Sequence, residues 1–277
     1  MYIELHASSA FSFLRGSSLP EDLVERAAGL GYPAMALLDR DGVAGAPRFF
    51  KAAKAAGLRP IVGAELTLPG GGCLPVLVES RAGYRNLCRV ITEMKAGVEK
   101  GKGVLSLDTL QDRSDGLVAM PGLATLGEPP DTDRLARLLA IFGAGNVVME
   151  VQRHRRRDQE AANQALLDLA DALGVRAVAT GGVRHADPGG RLLLDVFTCI
   201  REKRTLAAAG RLLARNAERH LKPPREMEAA FRDRCRDWAR RSSRLRTDRA
   251  CRSPSAAEAL SYPPCRRPSE AHRGSDC

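Results

Sequence analysis

Apolar and polar positions follow two rhythms along this chain, and the two take turns. Short apolar runs bounded by polar residues predict strands at Tyr2–His6, Ala34–Leu38, Arg59–Val62, Leu74–Val78, Gly116–Met120, Asn146–Val151 and Arg176–Thr180. Ala34–Leu38 is apolar throughout, as expected of a strand covered on both faces. Between these runs, apolar residues recur every three or four positions. Leu19, Leu23, Ala27 and Leu30 predict a helix with Ser18 as N-cap, Glu21 as capping-box partner and Pro20 in the first turn, stopped by Gly31 and Pro33. Phe49, Ala53 and Ala56 predict another, opened by Pro47 and closed by Gly57. Tyr84–Met94, the stripe Leu135, Leu138, Leu139 and Phe142, and Leu192–Ile200 predict three more. The strongest helix is Asp158–Leu173, with Ala162, Leu166, Leu169 and Leu173 on one face and Gly174 after it. Strands that alternate with helices in this way indicate βα units and a parallel sheet or barrel.

After about Phe231 the rhythm stops. Stretches such as Arg240–Arg246 and Ser261–Pro268 have no apolar period; Arg, Ser, Pro and Cys dominate, and Ile, Val and Lys are absent. That composition predicts a disordered tail over 232–277. The tail also changes the meaning of the charge. The 277 residues carry a formal +10, which suggests nucleic acid at first sight. Eleven arginines against five acids from Arg234 to Cys277 place six of those charges in the tail, so the body is only mildly basic.

The seven cysteines are odd in number, widely spaced and without a C-x-x-C pair, which signals neither a disulfide framework nor a zinc ribbon. No apolar run reaches the roughly 18 residues of a membrane helix. No signal-peptide pattern opens the chain, so the expected compartment is the cytoplasm, with no membrane partner. Gly70–Gly72 and Gly101–Gly103 lack the phosphate-loop signatures and read as turns. No G-x-S-x-G appears. His154 sits among Arg153, Arg155, Arg156 and Arg157 in what reads as a solvated loop, with phosphate contact as the lesser reading.

The order of four segments carries a resemblance: Tyr2-Ile-Glu-Leu-His6-Ala-Ser8, Phe11-Ser-Phe-Leu-Arg15-Gly16, Ala36-Leu-Leu-Asp39-Arg40-Asp41-Gly42 and Arg59-Pro-Ile-Val-Gly-Ala-Glu65. Through about Phe231 the chain resembles the N-terminal PHP (polymerase and histidinol phosphatase) domain of bacterial C-family DNA polymerases, nearest the error-prone, alpha-like kind. The resemblance implies an α/β fold, a distorted (β/α)₇ barrel over residues 1–203, with the start of a connection toward a polymerase palm over 204–231. The tail, 232–277, is unrelated to that family; a shifted reading frame in a GC-rich gene is the expectation, and a natural basic arm the alternative. The implied activity is that of a DNA-directed DNA polymerase in repair and translesion synthesis. DNA and other replication or translesion proteins are the implied partners of the full-length molecule, and its palm carboxylates hold Mg²⁺.

In PHP domains that hydrolyse phosphate esters, His, Asp, Glu and Cys side chains at the C-terminal ends of the strands hold divalent metals that activate water. The resemblance leaves His6 and Glu65 as remnants of that ligand set. The second histidine of the opening H-x-H is Ser8, on the same strand face as position 6. The acid of L-D-G is Arg15, the histidine of T-D-H-G is Arg40, and the late D-V-H reads Gly182-Val183-Arg184, with His185 adjacent. Arginine keeps its charge and has no lone pair to donate, so neither a metal cofactor nor hydrolysis is expected of this chain. Arg15, Arg40 and Arg184 are expected to pair with Asp39, Asp41 and Glu65, keeping the barrel mouth neutral. The second reading has them bind phosphate of DNA or a nucleotide. The expected function is that of a scaffold within a polymerase, with no polymerisation by this chain alone. A free-standing metallophosphoesterase and a basic DNA-binding module are the alternatives.

Overall fold

The computed structural model describes residues 2–99 and 101–231; the tail expected over 232–277 lies outside the described residues. The strands are β1 (Glu4–Ala7), β2 (Ala34–Arg40), β3 (Arg59–Thr67), β4 (Cys73–Val78), β5 (Leu117–Ala119), β6 (Val148–Gln152) and β7 (Arg176–Thr180). The helices of the first half are α1 (Pro20–Gly29), α2 (Ala46–Ala55), α3 (Arg81–Lys95), α4 (Leu107–Gln111) and α5 (Leu123–Leu126). Then come α6 (Thr132–Phe142), α7 (Arg157–Ala172), α8 (Gly190–Glu202), α9 (Leu206–Ala209) and α10 (Pro224–Ala230). Strands β1 to β5 make one sheet in sequence order, and β6 pairs with β7. Parallel bridges from Ala119 to Val147 and from Ala7 to Val183 join the two sheets at both edges. The result is a distorted ring of seven strands with two joints made of single bridges. Glu4 strengthens one joint: its carboxylate accepts the Gly181 N–H at 2.9 Å and the His6 N–H at 2.9 Å.

The ring is not uniformly parallel, as the strand–helix alternation had suggested. Strand β4 runs antiparallel to β3 and to β5, while β1, β2 and β3 are parallel, as are β6 and β7. The connection explains this. Only Leu68–Gly72 separate β3 from β4, closed by a 2.9 Å bond from the Leu68 N–H to the Gly72 carbonyl, and a parallel crossover needs a dozen or more residues. Gly70 and Gly71 supply the positive φ angles (85° and 93°) of that turn.

Helix α1 also departs from expectation at its start. Its cap is Leu19, whose N–H donates to the Asp22 carboxylate at 2.9 Å. Ser18 instead accepts the Ala186 N–H, and Glu21 pairs with Arg48. Tertiary partners have taken both groups that the local pattern assigned to the cap. Ala56 and Leu173, expected on buried helix faces, are exposed because each lies just past the end of its helix.

Two apolar layers hold the ring. The larger packs Met35, Leu37, Leu66 and Met149 of the strands against Leu23, Phe49, Leu87, Leu138 and Leu166 of the helices. Leu221, Met227 and Phe231 are buried in that same layer, so the segment after α9 packs on the barrel. The smaller layer fills the ring with Ala34, Ala36, Leu38, Leu77, Val148 and Val178. Period-two alternation then dictates what comes next on this inner face. After Ile61 and Gly63 comes Glu65; after Val148, Glu150; after Val178, Thr180; after Leu38, Arg40. The interior therefore turns polar at the C-terminal ends of the strands. Among the described residues, no helix is long and apolar enough to cross a membrane.

Candidate functional site

At that polar end, His6 bridges two carboxylates. Its Nε2 lies 2.5 Å from Glu65 Oε1 and its Nδ1 lies 2.6 Å from Glu150 Oε1. All three side chains are buried. Burial alone would lower the imidazole pKa, but Glu150 and Glu65 outweigh it and push it up to about 10, so both ring nitrogens donate. Glu65 has both oxygens engaged by Arg184, at 2.6 Å and 3.2 Å, and the Arg40 guanidinium lies 3.7 Å from Oε2. Burial would raise its pKa, yet Arg184, His6 and Arg40 hold it well below the usual carboxylate range. Glu150 is also held low against burial, by His6 and by the Thr180 hydroxyl donating at 2.5 Å. Arg184, Glu65, His6 and Glu150 thus form a chain of alternating charge.

Ser8 faces this chain as its strand position requires, accepting from Arg184 at 3.1 Å while donating to the Leu38 carbonyl at 2.8 Å. Asp39 and Asp41 are engaged elsewhere. Asp39 accepts the Ser9 N–H at 2.7 Å and the hydroxyls of Ser9 and Ser12 at 2.9 Å and 2.8 Å; burial still pushes its pKa up. Asp41, at φ 51°, accepts the Thr67 N–H and hydroxyl at 2.7 Å and 2.6 Å and comes only to 3.7 Å from Arg40. Arg40 itself donates to the Thr67 hydroxyl at 2.7 Å and the Gly72 carbonyl at 3.1 Å. The Arg15 guanidinium has no hydrogen bond or ion pair among the described residues.

The expected network is corrected accordingly. Arg40, Arg184 and Glu65 come together with His6 and Glu150, while Arg15 and Asp39 stand outside. Asp39 follows Leu38 of the inner layer, so alternation turns it to the opposite face of β2. Glu150 was not singled out from the sequence; its signal is a lone acid inside the apolar run Val147–Val151.

Beside the charge chain opens a cavity of about 440 Å³, lined by Arg15, Arg40, Arg184, Arg201, Arg211 and Arg219, with Arg156 and Arg215 toward Asp158. Among the described residues no carboxylate lines it. The Arg184 N–H donates to the Arg219 carbonyl at 2.8 Å and a parallel bridge joins His185 to His220, which sets Arg219 beside Arg184. Partial desolvation, with Arg201, Arg40 and Arg184 nearby, lowers the pKa of Arg15. Burial and Arg184 lower that of Arg219 to about 10. His154, expected in a solvated loop, is buried, and its Nε2 donates to the Gly181 carbonyl at 2.9 Å. Burial and then Arg219 push it down to about 3, so it is neutral. The mouth is therefore positive rather than neutral. Among the described residues, no group of three or more His, Cys, Asp or Glu is arranged to hold a metal ion.

A family model described as the PHP domain matches residues 4–154, more than half of the chain. The chain belongs to the PHP domain family. His6, Arg40, Glu65 and Glu150 all lie inside that match. An error-prone DNA polymerase of Xanthomonas campestris pv. campestris is 40% identical over 229 residues, 82% of this chain. One from Pseudomonas savastanoi pv. phaseolicola is 39% identical over 222 residues, 80% of this chain. The chain spans only 21% and 22% of the length of these two relatives. A solved two-domain protein of Bacteroides vulgatus, containing a predicted PHP-like metal-dependent phosphoesterase, aligns at 14% identity and a TM-score of 0.45, covering 82% of this chain and 62% of its own.

Proposed function

We propose that this PHP barrel is the N-terminal part of an error-prone, C-family DNA-directed DNA polymerase, and that it serves there as a scaffold rather than as a hydrolase. Residues 1–203 are the barrel in this reading, and 204–231 begin the connection toward the palm, whose Mg²⁺-binding carboxylates carry nucleotidyl transfer in that family. Translesion synthesis and DNA repair in the cytoplasm, on DNA and alongside other replication proteins, are the setting. The similarity to error-prone polymerases over most of this chain supports the assignment. So does α8, where Leu192, Val196 and Ile200 form an exposed apolar stripe of the kind that packs on a neighbouring domain.

The scaffold reading rests on one observation: the Arg184 guanidinium is seated on both oxygens of Glu65. The donor set does not fit the divalent metals of a PHP hydrolase. Of the two remnant ligands, Glu65 is saturated and His6 is an imidazolium with no lone pair free. A dication roughly 5 Å from one guanidinium, at an effective dielectric near 20, is repelled by about 7 kcal/mol. Elemental analysis of the purified chain, with phosphate release from p-nitrophenyl phosphate in the presence of Mn²⁺ or Zn²⁺, tests this. We expect substoichiometric metal and background release. Stoichiometric transition metal that is lost in His6→Ala overturns the scaffold reading, and primer extension by this chain alone overturns the division of labour with the palm.

A further inference from the structure

We propose that the arginine-lined cavity at the barrel mouth binds a compact polyphosphate anion, such as inorganic triphosphate or the triphosphate tail of a nucleotide. The inference goes beyond the polymerase reading and does not depend on it. Its basis is an imbalance of charge inside a concave space. Arg184 and Arg40 share Glu65, Arg156 and Arg215 share Asp158, and Arg201 pairs with Glu202. Arg15, Arg211 and Arg219 have no carboxylate partner among the described residues, yet all three line the same cavity.

These three come from two distant parts of the chain: Arg15 from the loop before α1, and Arg211 and Arg219 from the segment after α9, where Arg219 pairs beside Arg184. Holding uncompensated guanidinium groups together opposes folding; burial and then Arg184 depress the pKa of Arg219, and burial and then Arg219 depress that of His154. An anion that returns several charge-assisted, forked hydrogen bonds offsets that opposition.

The shape narrows the ligand class. At about 440 Å³ the cavity lies in the range of small-molecule pockets and exceeds what one phosphate fills. Cations arranged around a hollow match an anion whose charges are bunched. A nucleic-acid backbone, with its charges spread along a line, calls for a stripe instead.

Isothermal titration of the full chain at low ionic strength, with sodium triphosphate, pyrophosphate, orthophosphate and a short oligo(dT) as probes, tests the proposal. We expect triphosphate to bind most tightly and orthophosphate most weakly. Arg219→Gln, Arg211→Gln and Arg15→Gln should each weaken triphosphate by roughly tenfold. Arg137→Gln, which removes the exposed partner of Asp108 on α6, should leave binding unchanged. Where a variant unfolds, protection of the same three arginines from phenylglyoxal by triphosphate, mapped by mass spectrometry on the unaltered chain, gives the answer. Oligo(dT) that is displaced by triphosphate and lost in the same variants would support the site while assigning the anion to DNA. Absence of triphosphate binding, or binding indifferent to all three substitutions, overturns the proposal.

Discussion

Arg184→Met tests the contact on which the scaffold reading rests. The substitution keeps most of the side-chain volume and removes the charge, leaving a fully buried Glu65 with His6 at 2.5 Å and the Arg40 guanidinium at 3.7 Å. Two unit charges roughly 4 Å apart attract by about 4 kcal/mol at an effective dielectric near 20. The Arg184 side chain is 13% exposed, so its own desolvation returns part of that. Breaking a buried pair from one side costs about 3–5 kcal/mol because the orphaned charge stays buried. We expect the lower end, about 3 kcal/mol, since His6 still serves Glu65. Glu65→Gln removes the other charge, and in the double variant the orphan disappears, so roughly 2 kcal/mol should be recovered relative to additivity. Urea denaturation of the four proteins at mildly acidic pH, followed by far-UV circular dichroism, gives the cycle. Arg113→Met, at the exposed pair with Glu93, should leave the midpoint in place. A coupling below roughly 0.5 kcal/mol between positions 184 and 65 would refute the reasoning.

Two further outcomes are expected. His6, raised to about 10, contributes stability that is complete below its ordinary value of 6.5 and is lost as pH climbs; Glu65 and Glu150, held low, contribute above their ordinary 4.5 and lose it as pH falls. Stability should therefore peak between those values and decline on the alkaline side by at most about 1.4 kcal/mol per pH unit. His6→Gln should flatten that limb in urea midpoints measured across it, and equal slopes in both proteins would count against the assignment. At Gly45 an added Cβ would lie 2.4 Å from Asp39 Oδ2 and 3.3 Å from Phe11, whereas at Gly29 it would meet nothing within 4 Å. Gly45→Ala should cost about 1–3 kcal/mol and Gly29→Ala should gain about 0.5–1 kcal/mol in thermal unfolding; shifts of the same sign would contradict that packing.

What the sequence made legible was set by local geometry. Strand alternation carried Glu65 and Arg40 to one end of the ring, because period two leaves little freedom once a strand is recognised. His6 and Ser8 reached that end through the register shift between Glu4 and Ala7, since Ile3 and Leu5 already occupy the inner layer. The same alternation, applied to Leu38, would have turned Asp39 away from Arg40. The five-residue turn at Leu68–Gly72 would have reversed β4. Other features had no local trace. Ser18 was lost to Ala186, 168 positions on, and Glu150 found His6 across 144 positions. Nothing local marks Arg211 and Arg219, which the segment after α9 folds over the mouth.

The two buried carboxylates explain why the barrel needs a cation at this end at all. Glu65 and Glu150 are fixed by the inner face of β3 and β6, and two negative charges so placed require two positive ones. Here the His6 imidazolium and Arg184 meet that requirement, lying against the carboxylate oxygens. The fold's demand ends there, because Asp39 is satisfied by serine hydroxyls and Asp41 by Thr67. Arg15, Arg211 and Arg219 therefore exceed what the buried carboxylates call for. That surplus separates a structural role for Arg184 from a ligand-facing role for the other three. Neutralising Arg184 should accordingly weaken the fold, and neutralising Arg211 or Arg219 should relieve repulsion and leave stability equal or higher.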